Sequence, residues 1–130
     1  MERQERREQI LNILAAGIRK VLLNTVPKPE ELQEIRMRLG QPLRVVRGKE
    51  EIVLRSGTEP YIVTKEELRE TMDYISHYSL YAYENELRQG FVTVEGGHRV
   101  GVAGKVIMEK ERVKNIQYIS SLNIRVSHEV

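Results

Sequence analysis

Four arginines stand where a guanidinium group would be placed to meet an anion. Arg36 and Arg38 flank Met37 in Glu34-Ile35-Arg36-Met37-Arg38-Leu39, a segment that alternates polar and apolar without error. Arg99 follows Gly96-Gly97-His98, and Arg125 lies within Asn123-Ile124-Arg125-Val126-Ser127. A guanidinium carries a permanent charge and presents a planar fork of N–H donors that fits phosphate or carboxylate oxygens in pairs. The same side chains also serve as caps at a sheet edge or partners of surface carboxylates, roles worth little energetically. The residues alone leave both roles open.

No other motif carries chemistry. Gly104-Lys105 imitates the end of a phosphate loop, but G-x-x-x-x-G-K-[ST] needs glycine where Arg99 stands and a hydroxyl where Val106 stands. Gly101-Val102-Ala103-Gly104 imitates the GXXG loop of KH domains without the helices that loop joins. No two of His77, His98 and His128 have the i,i+4 spacing of a helical metal site, so no metal is expected. His98, in a glycine turn beside Arg99, reads as an exposed turn histidine, with anion contact as the sharper alternative. No nucleophile–base pair or carboxylate pair stands out. No catalytic residue and no cofactor is expected within these residues.

The elements that must position the arginines follow from periodicity. Ile10, Leu11, Leu14, Ile18, Val21 and Leu22 predict one amphipathic helix, ended by Thr25-Val26-Pro27-Lys28-Pro29. It packs on its own domain or forms a short arm that docks Leu14 and Ile18 on a neighbour; two heptads favour the former. Glu34–Leu39, Leu43–Val46, Ile52–Leu54 and Tyr61–Val63 predict short strands, with turns at Gly40-Gln41-Pro42 and Arg47-Gly48-Lys49. Thr64-Lys65-Glu66-Glu67 is a capping box opening a helix that buries Leu68, Met72 and Ile75. Ser79 breaks it, and a second stretch carries Leu80, Tyr83 and Leu87, with a Glu84–Arg88 pair and Gly90 as cap. Phe91–Val94, Arg99–Met108, Val113–Ile119 and Leu122–Val126 complete the strands, turned at Gly96-Gly97 and at Glu109–Arg112. Consecutive hairpins imply an α+β fold: an antiparallel or mixed sheet of short strands with an N-terminal helix and a central helical pair. The organisation expected is a helical arm over 1–26 and an α+β domain over 27–130. Apolar alternation still runs at Val130, so a further domain is expected beyond it.

Composition narrows the class. A length of 130 residues, 40% apolar and 31% charged, fits one ordinary water-soluble domain. The absence of cysteine excludes disulfides and thiolate metal sites and favours a reducing compartment. No apolar stretch approaches the roughly 18 residues of a membrane span, and Met1 to Gln9 is too charged for a signal peptide. The net charge of +2 is small, but Arg36 to Lys49 holds five basic residues and no acid. Four of the six tyrosines fall between Tyr74 and Tyr83, a half-buried cluster or a partner surface led by Tyr78 and Tyr81.

Tyr74 to Glu84, Arg88-Gln89-Gly90-Phe91, Gly96 to Gly101, Ser120 to Arg125 and Glu34 to Leu43 together resemble the stage III sporulation protein AA family. That resemblance covers nearly the whole chain from about Ile10. It implies the N-terminal domain of a relative of the ring-forming type II and type IV secretion and pilus-retraction ATPases. The parent would carry a RecA-like motor after Val130, bind ATP and Mg2+ there, and hydrolyse ATP as a homo-oligomer, hexameric by the family's pattern. It would energise the channel between mother cell and forespore, cytoplasmic in the mother cell and peripheral at the forespore membrane, docked to membrane proteins of that channel. The resemblance also implies that Arg99 and Arg125, and less directly Arg36 and Arg38, approach nucleotide held by the motor.

Two alternatives come from other classes. The Arg36 to Lys49 strip would suit a small nucleic-acid-binding module, but it lacks interleaved aromatics, and the chain has no Trp and one Phe. Nucleic acid is therefore not an expected partner. A protein-docking adaptor would use the tyrosine cluster or the first helix.

Overall fold

The computed structural model describes residues 2–109 and 112–128, and only the backbone of 106–109 and 112–117. Strict alternation makes β1 (Glu34–Arg38), with Ile35 and Met37 fully buried and the polar residues facing away. It lies at the centre of a six-stranded sheet ordered β3-β2-β1-β8-β7-β6, antiparallel throughout. The other strands are β2 (Arg44–Arg47), β3 (Glu50–Val53), β6 (Phe91–Thr93), β7 (Arg99–Glu109) and β8 (Arg112–Arg125). The fold is α+β with an antiparallel sheet, as the hairpin order predicts.

The helices cover one face of that sheet. The capping box forms as expected: Thr64 Oγ1 accepts from the Glu67 amide, and the Glu67 carboxylate accepts from the Thr64 amide at 2.9 Å. It starts α3 (Lys65–Ile75), whose Leu68, Met72 and Ile75 are buried. After Ser79 comes a 3-10 turn at Leu80–Tyr83 and then α4 (Glu84–Gln89), with the Arg88–Glu84 pair at 2.9 Å and a left-handed Gly90 cap. Helix α3 and the 3-10 turn both lie against β8. Ile35, Met37, Val45, Val92, Val100, Leu122 and Ile124 from the strands join one buried cluster with the helix residues.

The first helix differs from expectation. It breaks into α1 (Arg3–Asn12) and α2 (Ala16–Thr25). The amides that open α2 are satisfied by α3: Ala15 donates to Thr71 Oγ1 at 3.0 Å and Ala16 to Glu70 Oε2 at 2.7 Å. Arg19 reaches back across the break to the carbonyls of Leu11 and Leu14. The break lets Ile10, Leu14, Ile18 and Leu22 all reach zero exposure in the common core. Leu14 and Ile18 are thus not a partner surface: the chain's own core covers them.

Smaller differences follow from pairing that periodicity does not reveal. Val113–Ile119 and Leu122–Val126 are not two strands but parts of β8, which runs on through Ser120-Ser121 because β7 pairs along its whole length. Tyr61–Val63 contributes one bridge, Pro42 to Ile62, while a small hairpin of β4 (Arg55–Ser56) and β5 (Glu59–Pro60) precedes it. Gly104 sits at a register shift in the β7–β8 ladder, where a Cβ would come within 2.2 Å of the Tyr118 carbonyl oxygen. Close backbone approach, rather than any nucleic-acid loop, accounts for that glycine. The Glu109–Arg112 turn and the end at Val130 involve residues outside the described ones.

Candidate functional site

The face of the sheet turned away from the helices carries the arginines. Register places Arg99 of β7 directly opposite Arg125 of β8, Arg125 opposite Glu34 of β1, Arg36 opposite Asn123, and Arg38 opposite Ser121. Arg36 also faces Arg44 of β2. Side-chain parity sends all of these to the same side, where every described residue of the central ladder is half-buried or exposed. All four arginines singled out from sequence therefore share one uncovered face, together with Arg44.

Their surroundings separate them. Arg36 is held twice, Nε on Glu34 Oε2 at 2.8 Å and Nη1 on Glu51 Oε2 at 2.6 Å. Arg44 Nη1 meets the other oxygen of Glu51 at 3.1 Å. Arg125 has only an ion pair to Glu34 Oε1 at 3.5 Å, and its side chain is 69% exposed. Arg99 lies over Phe91, its Cζ 3.7 Å from the ring centroid, an attraction of the charge to the ring face. Neither Arg99 nor Arg38 has a carboxylate partner among the described residues. Like charges directly opposed across strands destabilise a sheet, so the Arg99–Arg125 pair is not what stability alone selects. Next to it, Asn123 Oδ1 is buried without a hydrogen-bond partner.

The basic strip from Arg36 to Lys49 is less free than its sequence indicates. Acids flanking it in sequence return to it in space: Glu34 and Glu51 take Arg36 and Arg44, and Glu50 lies 3.9 Å from Arg47. Partial neutralisation weakens the strip as a track for a nucleic-acid backbone.

His98 departs from expectation altogether. It is fully buried, not an exposed turn residue. Its Nδ1 accepts from the Ser127 amide at 2.9 Å, which leaves the proton on Nε2 to donate to Gln9 Oε1 at 2.9 Å. One imidazole thereby ties α1, the β6–β7 turn and the segment after β8. Gly96 makes room for it with φ +95 and no side chain, since a Cβ there would fall 2.0 Å from Gln9 Oε1. Burial pushes the His98 pKa below the usual histidine value, and the charges of Arg6 and His128 push it the same way. No signal in the sequence reveals this role, because Gln9 is 89 positions away.

The tyrosine cluster is divided. Tyr78 and Tyr81 are exposed, at 73% and 57%. His77 and Tyr78 both have positive φ, 51 and 62, in the turn after α3, a conformation that side chains other than glycine rarely adopt. Tyr74 packs edge-on against Tyr78 and bonds Glu70 at 3.0 Å. No group of histidine, cysteine and acidic side chains among the described residues could hold a metal, and no described helix is long and apolar enough to cross a membrane.

Comparison with known proteins bears on the whole chain. The family model described as sporulation stage III, protein AA matches residues 4–130. The chain is 34% identical over 123 residues to stage III sporulation protein AA of Bacillus subtilis strain 168, covering 93% of this chain. It spans 38% of that relative's length. No solved structure matches significantly, so the likeness to secretion-ATPase N-terminal domains rests on sequence resemblance alone. By the extent of the family match and the identity to a curated relative, the chain belongs to the sporulation stage III protein AA family.

Proposed function

We propose that this chain is the N-terminal regulatory and assembly domain of a sporulation-specific, secretion-type ATPase that energises the channel between mother cell and forespore. The observation that carries this reading is the uncovered sheet face on which Arg99 and Arg125 stand side by side without a full complement of carboxylates. Two guanidiniums so placed stabilise charge developing on a transferring phosphoryl group, provided a motor domain brings the phosphates to them. The relative's greater length leaves room for such a motor. In this reading a RecA-like domain follows Val130 and binds ATP and Mg2+. The protein assembles as a homo-hexamer in the mother-cell cytoplasm, at the forespore membrane. The exposed Tyr78 and Tyr81 dock membrane proteins of the channel, and the first two helices serve the fold instead.

The test is direct. Full-length protein, expressed from the intact gene, should hydrolyse ATP in the presence of Mg2+, whereas the 130-residue chain should not. A full-length protein with no phosphate-loop motif after Val130, and no ATP hydrolysis in any oligomeric fraction, would contradict the proposal.

A further inference from the structure

The Glu34 carboxylate is only 14% exposed although it sits on the open face, and its two oxygens go to two different arginines. Along one row across β7, β8 and β1 the order is Arg99, Arg125, Glu34. We propose that Glu34 is a built-in gate on an oxyanion site: its carboxylate holds Arg125 until a polyphosphate binds between Arg125 and Arg99 and draws Arg125 away. This rests on reading the face as phosphate-facing, and it adds how the face is regulated.

The distances support a gate rather than a permanent brace. Glu34 grips Arg36 by a hydrogen bond at 2.8 Å but reaches Arg125 only as a 3.5 Å ion pair. Arg36 has Glu51 as a second partner at 2.6 Å, so it stays paired when the Glu34 carboxylate shifts. Arg125, mostly exposed, has little to lose on release, because loose ion pairs at a surface contribute little. A diphosphate offers more: several charged oxygens to two forked donors, in short charge-assisted hydrogen bonds. It also removes the repulsion between Arg99 and Arg125. A single carboxylate shared with Arg36 cannot do both.

The chain itself is enough for the test. In calorimetric titration with inorganic pyrophosphate at low ionic strength, Glu34→Gln should bind about three- to tenfold tighter than the unmodified chain, the effect of removing one nearby negative charge. Arg125→Ala should bind at least about tenfold weaker, through loss of a forked charge-assisted contact. Glu59→Gln, exposed on β5 outside the six-stranded sheet, alters net charge equally and should leave affinity within about twofold, its charge being screened by solvent. Equal affinity for Glu34→Gln and the unmodified chain, an equal gain in Glu59→Gln, or no pyrophosphate binding in any form would each overturn the gate. Should Glu34→Gln fail to melt cooperatively, NMR of the unmodified chain decides. The Arg125 Nε–H and Glu34 carboxyl resonances should move together as pyrophosphate is added, and an Arg125 shift with a stationary Glu34 carboxyl rejects the proposal. These outcomes are separate from the motor question: a full-length protein without ATPase activity refutes the motor reading whatever Glu34 does.

Discussion

Full-length protein carrying Arg99→Ala or Arg125→Ala is expected to lose ATP turnover by about 10²- to 10³-fold while its oligomeric state is unchanged. The size follows from what a guanidinium supplies in phosphoryl transfer. It opposes charge that builds on the equatorial oxygens, in a site from which water has been expelled. The retention of assembly follows from placement. Arg125 is 69% exposed and Arg99 rests on Phe91, so neither side chain lies in the buried core. Lysine should rescue poorly at either position, since an ammonium lacks the planar fork. Arg36→Ala is the informative contrast. Its two hydrogen-bonded carboxylates mark it as part of the face's own framework, so turnover should fall no more than a few-fold. Stability should drop by about 1 kcal/mol, kept small because the pairs are partly solvated. Steady-state turnover and sedimentation on the same preparations check both halves.

His98→Ala is expected to damage the fold strongly, costing on the order of 3–5 kcal/mol. The substitution opens a cavity at a fully buried site and removes the imidazole's hydrogen bonds to the Ser127 amide and to Gln9 Oε1. The pH dependence has a definite sign. The neutral ring is the folded form, because Nδ1 must accept from Ser127; a proton there would set one N–H against another. With the folded pKa lowered below the unfolded value near 6.5, the unfolded chain takes up the proton first. The contribution of His98 is therefore complete above about pH 6.5 and is lost as pH falls through the lower, folded pKa. Denaturant melts of the unmodified chain should weaken over that range, and the difference from His98→Ala should shrink with it. Every other group is common to both proteins, so the difference isolates His98. A constant difference between the two from pH 7.5 to 5 would contradict this account.

Local rules read part of this molecule directly. The alternation of Glu34 to Arg38, the Thr64–Glu67 box, the Glu84–Arg88 pair and the Gly90 cap each involve residues a few positions apart, and all form, while Leu39 leaves the pattern as an exposed turn residue. Alternation also sufficed to place Arg36 and Arg38 on the polar side of their strand. What it did not reveal is strand pairing, and pairing makes the site. Arg99 becomes the neighbour of Arg125, and Arg125 of Glu34, only through the β7–β8–β1 register. The partners that separate a held arginine from an available one, Glu34 and Glu51, lie outside the basic strip as a sequence reader bounds it.

Long-range contacts explain the remaining misses. Helical periodicity runs unbroken from Ile10 to Leu22, yet α3 supplies the side chains that cap a new helix at Ala15 and Ala16. Leu14 and Ile18 fit a docking seam equally well by spacing; only the fold shows them already covered. A histidine beside two glycines reads as exposed because turns usually are, and what buries His98 is a glutamine from the first helix and an amide after the last strand.

The central claim is that the uncovered sheet face meets the phosphates of bound nucleotide. It is tested most directly by a structure of the full-length protein with a non-hydrolysable ATP analogue. The account predicts the guanidinium of Arg99 or Arg125 within about 3 Å of a phosphate oxygen, in its own protomer or the next. Both guanidiniums left in solvent, with the phosphates held entirely by other residues, would contradict it.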